Sequence, residues 1–297
     1  MVSFDKKWLL LVLSTILLAC NSMREEIVPQ ALAGQSDKLV VDCFISPQDT
    51  LLTAKVTRSR PVLDNDATRR VEVSDAVVTL SDGSNSVRLV YNSQLALYAV
   101  KAQKMVVRSG NTYQLTVRYS TGQQVSATTT VPSMIALDAI QLDSAVASGQ
   151  VNGEKKEYRL VGSWQDPANA YYRVKGTVRG IPINAPSNSS YGNPEAMSFI
   201  MATNSLGLLA SQNKAGTLSA SALLDKDRLS RQYRSMAINV DLMHVDEAYY
   251  QYHVALDQQL KAANNPFAEP VIIPTNIQNG LGCFGSYNQS RKTVTLK

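Results

Sequence analysis

The side chains able to do acid–base, nucleophilic or metal chemistry are few. His244 and His253 are the only histidines of the 297-residue chain, and Cys20, Cys43 and Cys283 the only cysteines. Nine residues separate the histidines, about 180° around a helix, so a shared helix would turn them to opposite sides. A zinc site needs three or four converging ligands. The sequence offers no such spacing, so no metal is expected. G-x-S-x-G, a complete S-x-x-K set and H-E-x-x-H are all absent. His244 has Asp241 and Asp246 as sequence neighbours, but a triad needs a serine aimed at an imidazole held by a carboxylate, and no serine is so marked. No catalytic residue is assigned and the chain is expected not to be an enzyme. A cryptic hydrolase, built on two carboxylates distant in sequence, is kept as a third reading.

Gly280-Leu281-Gly282-Cys283-Phe284-Gly285 matches G-x-G-x-x-G letter for letter. A dinucleotide site needs a strand before that motif and a helix after it. Here a loop-like stretch precedes it and a β-type run follows, so the glycines are read as a tight turn where backbones pack closely, and no cofactor is expected. For ligand stacking, Tyr171, Tyr172 and Tyr191 are the candidates, since ring faces pack on sugars and apolar groups. Trp164 suits a core.

These residues sit on β-type elements. Residues 38–132 hold seven short alternating runs, from KLVVDCFIS to QVSATTTVP, separated by turn signals such as Asp82-Gly83 and Thr121-Gly122. That rhythm predicts an immunoglobulin- or fibronectin-like β-sandwich, with Tyr113 of GNTYQLTV as a corner tyrosine. Residues 133–297 predict a second β-rich domain. It contains a polar, Pro- and Gly-containing loop over 182–195, expected to be mobile, and one helix near 246–263. Asp246 would cap that helix, Tyr249, Tyr252, His253, Leu256 and Leu260 form its stripe, and Pro266 lies beyond its end.

The N-terminus reads as an address. Lys6 and Lys7 precede the apolar run Trp8–Leu18, which is shorter than the roughly 20 residues a bilayer requires and has the length of a secretory core. Leu17-Leu18-Ala19-Cys20 resembles a bacterial lipobox, making 1–19 a lipoprotein signal peptide, Cys20 the lipidated residue and 20–37 a flexible tether. The formal net charge is +5. Basic residues are scattered rather than interleaved with aromatics, so no nucleic-acid partner is implied. Cys43 and Cys283 remain after lipidation of Cys20. They form either a disulfide or two separate buried thiols.

The tail PFAEPVIIPTNIQNGLGCFG, following a helix that bears AYYQYH, carries the most specific pattern. With the lipobox, Asp75-Ala76-Val77-Val78-Thr79-Leu80, Gly110 through Val117 and Val131-Pro132, it resembles a Bacteroidota lipoprotein family known as domain of unknown function 4249. The resemblance carries no catalytic residues. It implies an outer-membrane, lipid-anchored protein encoded beside TonB-dependent receptors, hence a non-enzymatic accessory or ligand-capturing partner of such a transporter. Arg24-Glu25-Glu26 resembles the export tag of surface lipoproteins in that phylum. Asp49-Thr50-Leu51 and Asp143-Ser144-Ala145 resemble its O-glycosylation sequon, marking Thr50 and Ser144. The alternative is a stand-alone surface module binding carbohydrate or peptide.

Overall fold

The computed structural model describes residues 38–60, 71–146, 156–197, 206–262, 268–269 and 271–297. The signal peptide, Cys20, the tether and the Pro266-Phe267 turn lie outside the described residues.

Alternation of apolar and polar residues makes the first seven strands: β1 (Leu39–Ile45), β2 (Leu51–Arg58), β3 (Val77–Ser81), β4 (Ser86–Asn92), β5 (Leu97–Lys101), β6 (Thr112–Arg118) and β7 (Gln124–Thr130). In β1 the side chains of Leu39, Val41, Cys43 and Ile45 are buried while their neighbours are less so, the period-two signature of a strand with one core face. β4 pairs with β3 through Val87–Leu89 and with β5 through Val90–Asn92. It thereby crosses from one sheet to the other and folds them around a common core. Tyr113 closes a corner: its hydroxyl accepts from the Arg108 N–H at 2.8 Å and donates to the Val106 carbonyl.

The rest of the chain forms β8 (Ala139–Val146), β9 (Lys156–Asp166), β10 (Tyr171–Pro182), the short β11 (Glu195–Met197) and β12 (Leu208–Ala210), β13 (Gly216–Asp225), α1 (Lys226–Gln232), β14 (Tyr233–Val245), α2 (Glu247–Ala262) and β15 (Leu281–Leu296). The architecture is mostly β, with one long helix near the C-terminus. β13, β9 and β8 make a separate three-stranded sheet. It faces β10 and β14 across a core containing Leu160, Trp164 and Ala222 on one side and Tyr172, Ile238 and Leu242 on the other.

β15 joins the two cores. Leu281–Ser286 pair in parallel with β1, and Tyr287–Leu296 pair antiparallel with β14. Its sixteen residues extend about 50 Å and belong to both layered units. The expected turn over 280–285 is thus the start of a strand. The glycines are there because β1 approaches closely. A Cβ on Gly280 would lie 2.8 Å from the Leu39 carbonyl oxygen, and Gly282 has φ +100° with the Val41 backbone against it, a conformation favouring glycine. Asn276 completes this junction: its amide donates to the Phe284 carbonyl at 2.7 Å and accepts from the Phe284 N–H at 2.9 Å.

The disulfide alternative is not realised: Cys43 and Cys283 are free, buried thiols. Cys43 stands opposite Phe284, and Cys283 opposite Asp42. This offset of one residue sends the two thiols to opposite faces of the sheet. The loop over 182–195, expected to be mobile, is tied down. The Arg234 guanidinium donates to the carbonyls of Ala185 and Pro186, each at 2.7 Å, and the Gly192 N–H reaches the Gly180 carbonyl.

Candidate functional site

From β15 the large sheet runs through β1, β2, β5, β4, β3 and β6 and ends at β7, which returns to lie beside β15. No continuous backbone ladder closes this seam among the described residues. At one end Ser126 exchanges backbone hydrogen bonds with Gln278. At the other, the Ser286 hydroxyl donates to the Thr130 carbonyl at 3.0 Å, and Thr129 Oγ1 lies 2.7 Å from Ser286 Oγ. Between the two fastenings lies a groove of about 460 Å³, walled by Thr128–Thr130, the first turn of α2 and Pro274–Asn276, with Cys283 on its floor.

Asp246 governs one end of the groove. As the cap of α2 its Oδ1 accepts from the Tyr249 N–H at 2.7 Å, satisfying an N–H of the first turn that has no intrahelical partner. Its Oδ2 accepts from the Ser286 N–H at 2.8 Å and from the Thr129 hydroxyl, and Ser286 Oγ lies 3.1 Å away. One carboxylate therefore ties α2, β15 and β7 together. Burial holds it above the usual carboxylate range, and these hydrogen bonds offset that only in part.

Nothing in this arrangement activates a nucleophile. The Thr129 hydroxyl is spent on Asp246 and the Ser286 hydroxyl on the Thr130 carbonyl, and no histidine lines the groove. The Cys283 thiol is pushed up by burial and by the nearby Asp246 and Asp42 carboxylates, so at neutral pH it stays protonated and a poor nucleophile. The groove offers polar contact instead: the exposed Glu247 carboxylate and the exposed Gln251 and Thr128 stand along its rim.

The other side of α2 is a packed aromatic cluster. Phe44 meets Tyr249 edge-on at 5.1 Å, and His253 stacks on Tyr249 at 4.1 Å. Tyr249 accepts from Arg173 at 2.7 Å, and Tyr252 donates to Asp42 at 2.7 Å. Burial pulls the His253 imidazole down to about 4, so it is neutral there. His244, on β14, places Nδ1 2.7 Å from the Ser133 carbonyl oxygen and is lowered by burial too. Its neighbour Asp241 instead accepts a two-pronged contact from Arg291, at 2.5 and 2.8 Å. Among the described residues no group of three or more His, Cys, Asp or Glu could hold a metal ion.

The three stacking candidates do not converge. Tyr172 is fully buried against Trp164 at 5.2 Å, with its hydroxyl on Asp166 at 2.8 Å, and has no free ring face. It belongs to the core because it shares the inward face of β10 with Val174 and Val178. Tyr171, one position away on the outward face, stacks on Tyr250 at 4.8 Å and donates to Glu247 at 3.3 Å. Tyr191 lies beside Ser235 near the far end of β10, about 30 Å from Tyr171 by strand rise. Thr50 and Ser144 are both exposed; the Asp49 carboxylate beside Thr50 is engaged by the Ser46 N–H and the Tyr287 hydroxyl, and Ser144 accepts from Lys226.

Two β-sandwich-like layers on a shared strand, with a polar seam groove under a capped helix, define a mostly β protein. Residues 24–293 match the family described as Domain of unknown function (DUF4249), and the chain belongs to that family. No curated protein matches it. Among solved structures, a "Biofilm associated protein - B domain" is 8% identical with a TM-score of 0.17, covering 85% of this chain and 85% of its own. A "Biofilm associated protein - BSP domain" is 7% identical with a TM-score of 0.17, covering 86% of this chain and 58% of its own. At those scores neither likeness carries an argument about fold or function.

Proposed function

We propose that this protein is a non-enzymatic outer-membrane lipoprotein of the Bacteroidota. It would act as an accessory or ligand-capturing partner of a TonB-dependent transporter. The observation that carries the reading is the seam groove, which presents carboxylate, amide and hydroxyl groups but no nucleophile poised beside a base. Such a site suits holding a ligand. The lipobox ending in Cys20 supports a lipid anchor, since two or more acyl chains hold a protein durably on a membrane. Arg24-Glu25-Glu26 supports the outer surface over the periplasmic face. The transporter rests on the gene neighbourhood that the family resemblance implies.

A tether of about seventeen residues gives the body a reach of some 20 Å in the random-coil regime, enough to sit at the mouth of a neighbouring barrel. The contact belongs on the loop over 182–195 and on α2, the two polar features that stand out from the sheets. Purification from the native host in mild detergent is expected to retrieve a TonB-dependent receptor in near-equal amount. Deleting residues 183–193 should weaken that association without unfolding the chain. Recovery of the lipoprotein alone, together with turnover of a small substrate, would overturn the reading in favour of a hydrolase.

The second reading is a stand-alone module binding carbohydrate or peptide. Its support is the half-exposed Tyr171–Tyr250 pair beside Glu247, an aromatic platform with an acceptor at its edge. Receptor-free glycan or peptide binding that disappears in Tyr250→Ala would favour it.

A further inference from the structure

We propose that the seam groove takes an extended peptide segment bearing a lysine or arginine. The segment would pair with the backbone of Thr128 and set its cation against Glu247. The proposal rests on reading the groove as a capture site, and it names what is captured.

The first argument is register. β7 pairs with β6 through the whole of Gln124–Thr130. Ser126 turns both its N–H and its C=O away from β6, toward Gln278. Backbone groups alternate sides along an antiparallel strand with a period of two. The N–H and C=O of Thr128 therefore point the same way, out of the sheet and into the groove. Among the described residues no strand pairs with them. A donor and an acceptor on one residue of a strand edge are what an added extended segment binds. An unfilled edge is otherwise guarded by proline, charge or cover, and Thr128 has none of these on its own strand.

The second argument is extent. The edge is taken on one side at Ser126 by Gln278, and on the other at Thr130 by Ser286. Between these fastenings only Thr128 keeps both its N–H and its C=O for main-chain bonds, and about 460 Å³ lies at the lower end of the range for small-ligand pockets. The occupant is a short stretch of extended chain, not a full added strand.

The third argument is charge. The groove is lined by two carboxylates, Asp246 and Glu247, and by no lysine, arginine or histidine. Asp246 is saturated by its own donors. Glu247 is exposed, and among the described residues it receives only the Tyr171 hydroxyl, at 3.3 Å, which leaves it able to meet a cation. An acidic side chain there would face like charge.

The test uses the full mature chain in detergent and two blocked peptides, acetyl-Thr-Lys-Thr-amide and acetyl-Thr-Glu-Thr-amide, titrated by calorimetry. The lysine peptide is expected to bind at least about tenfold tighter than the glutamate peptide, as a charge-assisted contact requires. Glu247→Gln should remove that preference. Thr128→Pro deletes the outward N–H yet leaves the β6 ladder intact, because proline is tolerated on an edge strand. It should abolish binding of both peptides. Should that variant fail to fold, N-methylation of the lysine residue in the peptide removes the matching donor on the other side and should abolish binding equally. Equal affinity for the two peptides, no binding of either, or binding that survives N-methylation would overturn the proposal. Receptor retrieval from the native host does not depend on these peptides, so retrieval with no peptide binding would sink this inference alone and leave the proposed function standing.

Discussion

Asp246 and Ser286, forty residues apart in the chain, are joined directly: the Asp246 carboxylate accepts from the Ser286 N–H at 2.8 Å, and Ser286 Oγ lies 3.1 Å from it. The same carboxylate caps α2 and receives Thr129. Removing it strands several buried donors at once. Asp246→Ala should cost about 2–4 kcal/mol, the sum of a lost cap and an unsatisfied buried N–H. Asp246→Asn keeps an acceptor for the cap and should fall between alanine and wild type. Chemical denaturation midpoints check the order. An alanine variant as stable as wild type would show that the seam does not depend on this side chain.

Gly282 sits at φ +100° with the Val41 backbone where a side chain would begin. Gly282→Val should therefore cost a few kcal/mol through strain and displacement of β1. Gly83 is the control. It also has positive φ, but open space surrounds it, so Gly83→Val should cost less. Thermal melts of the two variants settle the comparison, and equal losses would contradict the crowding argument.

His253 makes the fold acid-sensitive. Its folded value is about 4, below the unfolded value of about 6.5. Between those values the unfolded chain binds a proton that the folded chain refuses, so stability is full above about pH 6.5 and falls as pH drops toward 4. Asp246 and Asp49 are both raised by burial and act with the opposite sign, gaining stability as pH falls. The histidine is therefore isolated by difference. His253→Phe, which fits among Phe44, Tyr249 and Tyr252, should flatten the melting temperature between pH 6.5 and 4.5, and a slope identical to wild type would refute the assignment.

Cys20→Ala should release the protein from the membrane fraction or leave its signal peptide uncleaved. Among the described residues no helix is long and apolar enough to cross a membrane. Fractionation with intact-mass measurement reads both outcomes. A variant still cleaved and still membrane-bound would mean that another attachment exists.

Strands were legible in the sequence wherever the period-two pattern was strict. β1 through β7 fall within the apolar runs bounded by turn residues, because each buries one face only. Asp246 was legible as a cap because a cap is local. Its hold on Ser286 and Thr129 was not, since nothing local in the sequence announces contacts across 40 and 117 positions. Gly280–Gly285 read as a turn because three closely spaced glycines broke the alternation. The glycines serve instead to admit the β1 backbone. Tyr172 looked like a ligand platform because two adjacent tyrosines on a strand point to opposite faces, and the sequence does not say which face is covered. The Thr128 edge gave no signal at all, because it depends on where β7 stops having a neighbour.

The pairing of β1 with β15 also fixes an order of events. Val40 sits beside Leu281 in the finished sheet, so β1 leaves the ribosome long before the strand it pairs with. Until β15 arrives, β1 has a bare flank and the first core lacks Phe284. Contacts this distant in sequence close slowly. The nascent chain would stay unlocked until β15 is made, and a fragment cut short before Leu281 would carry a sticky strand for quality control to find.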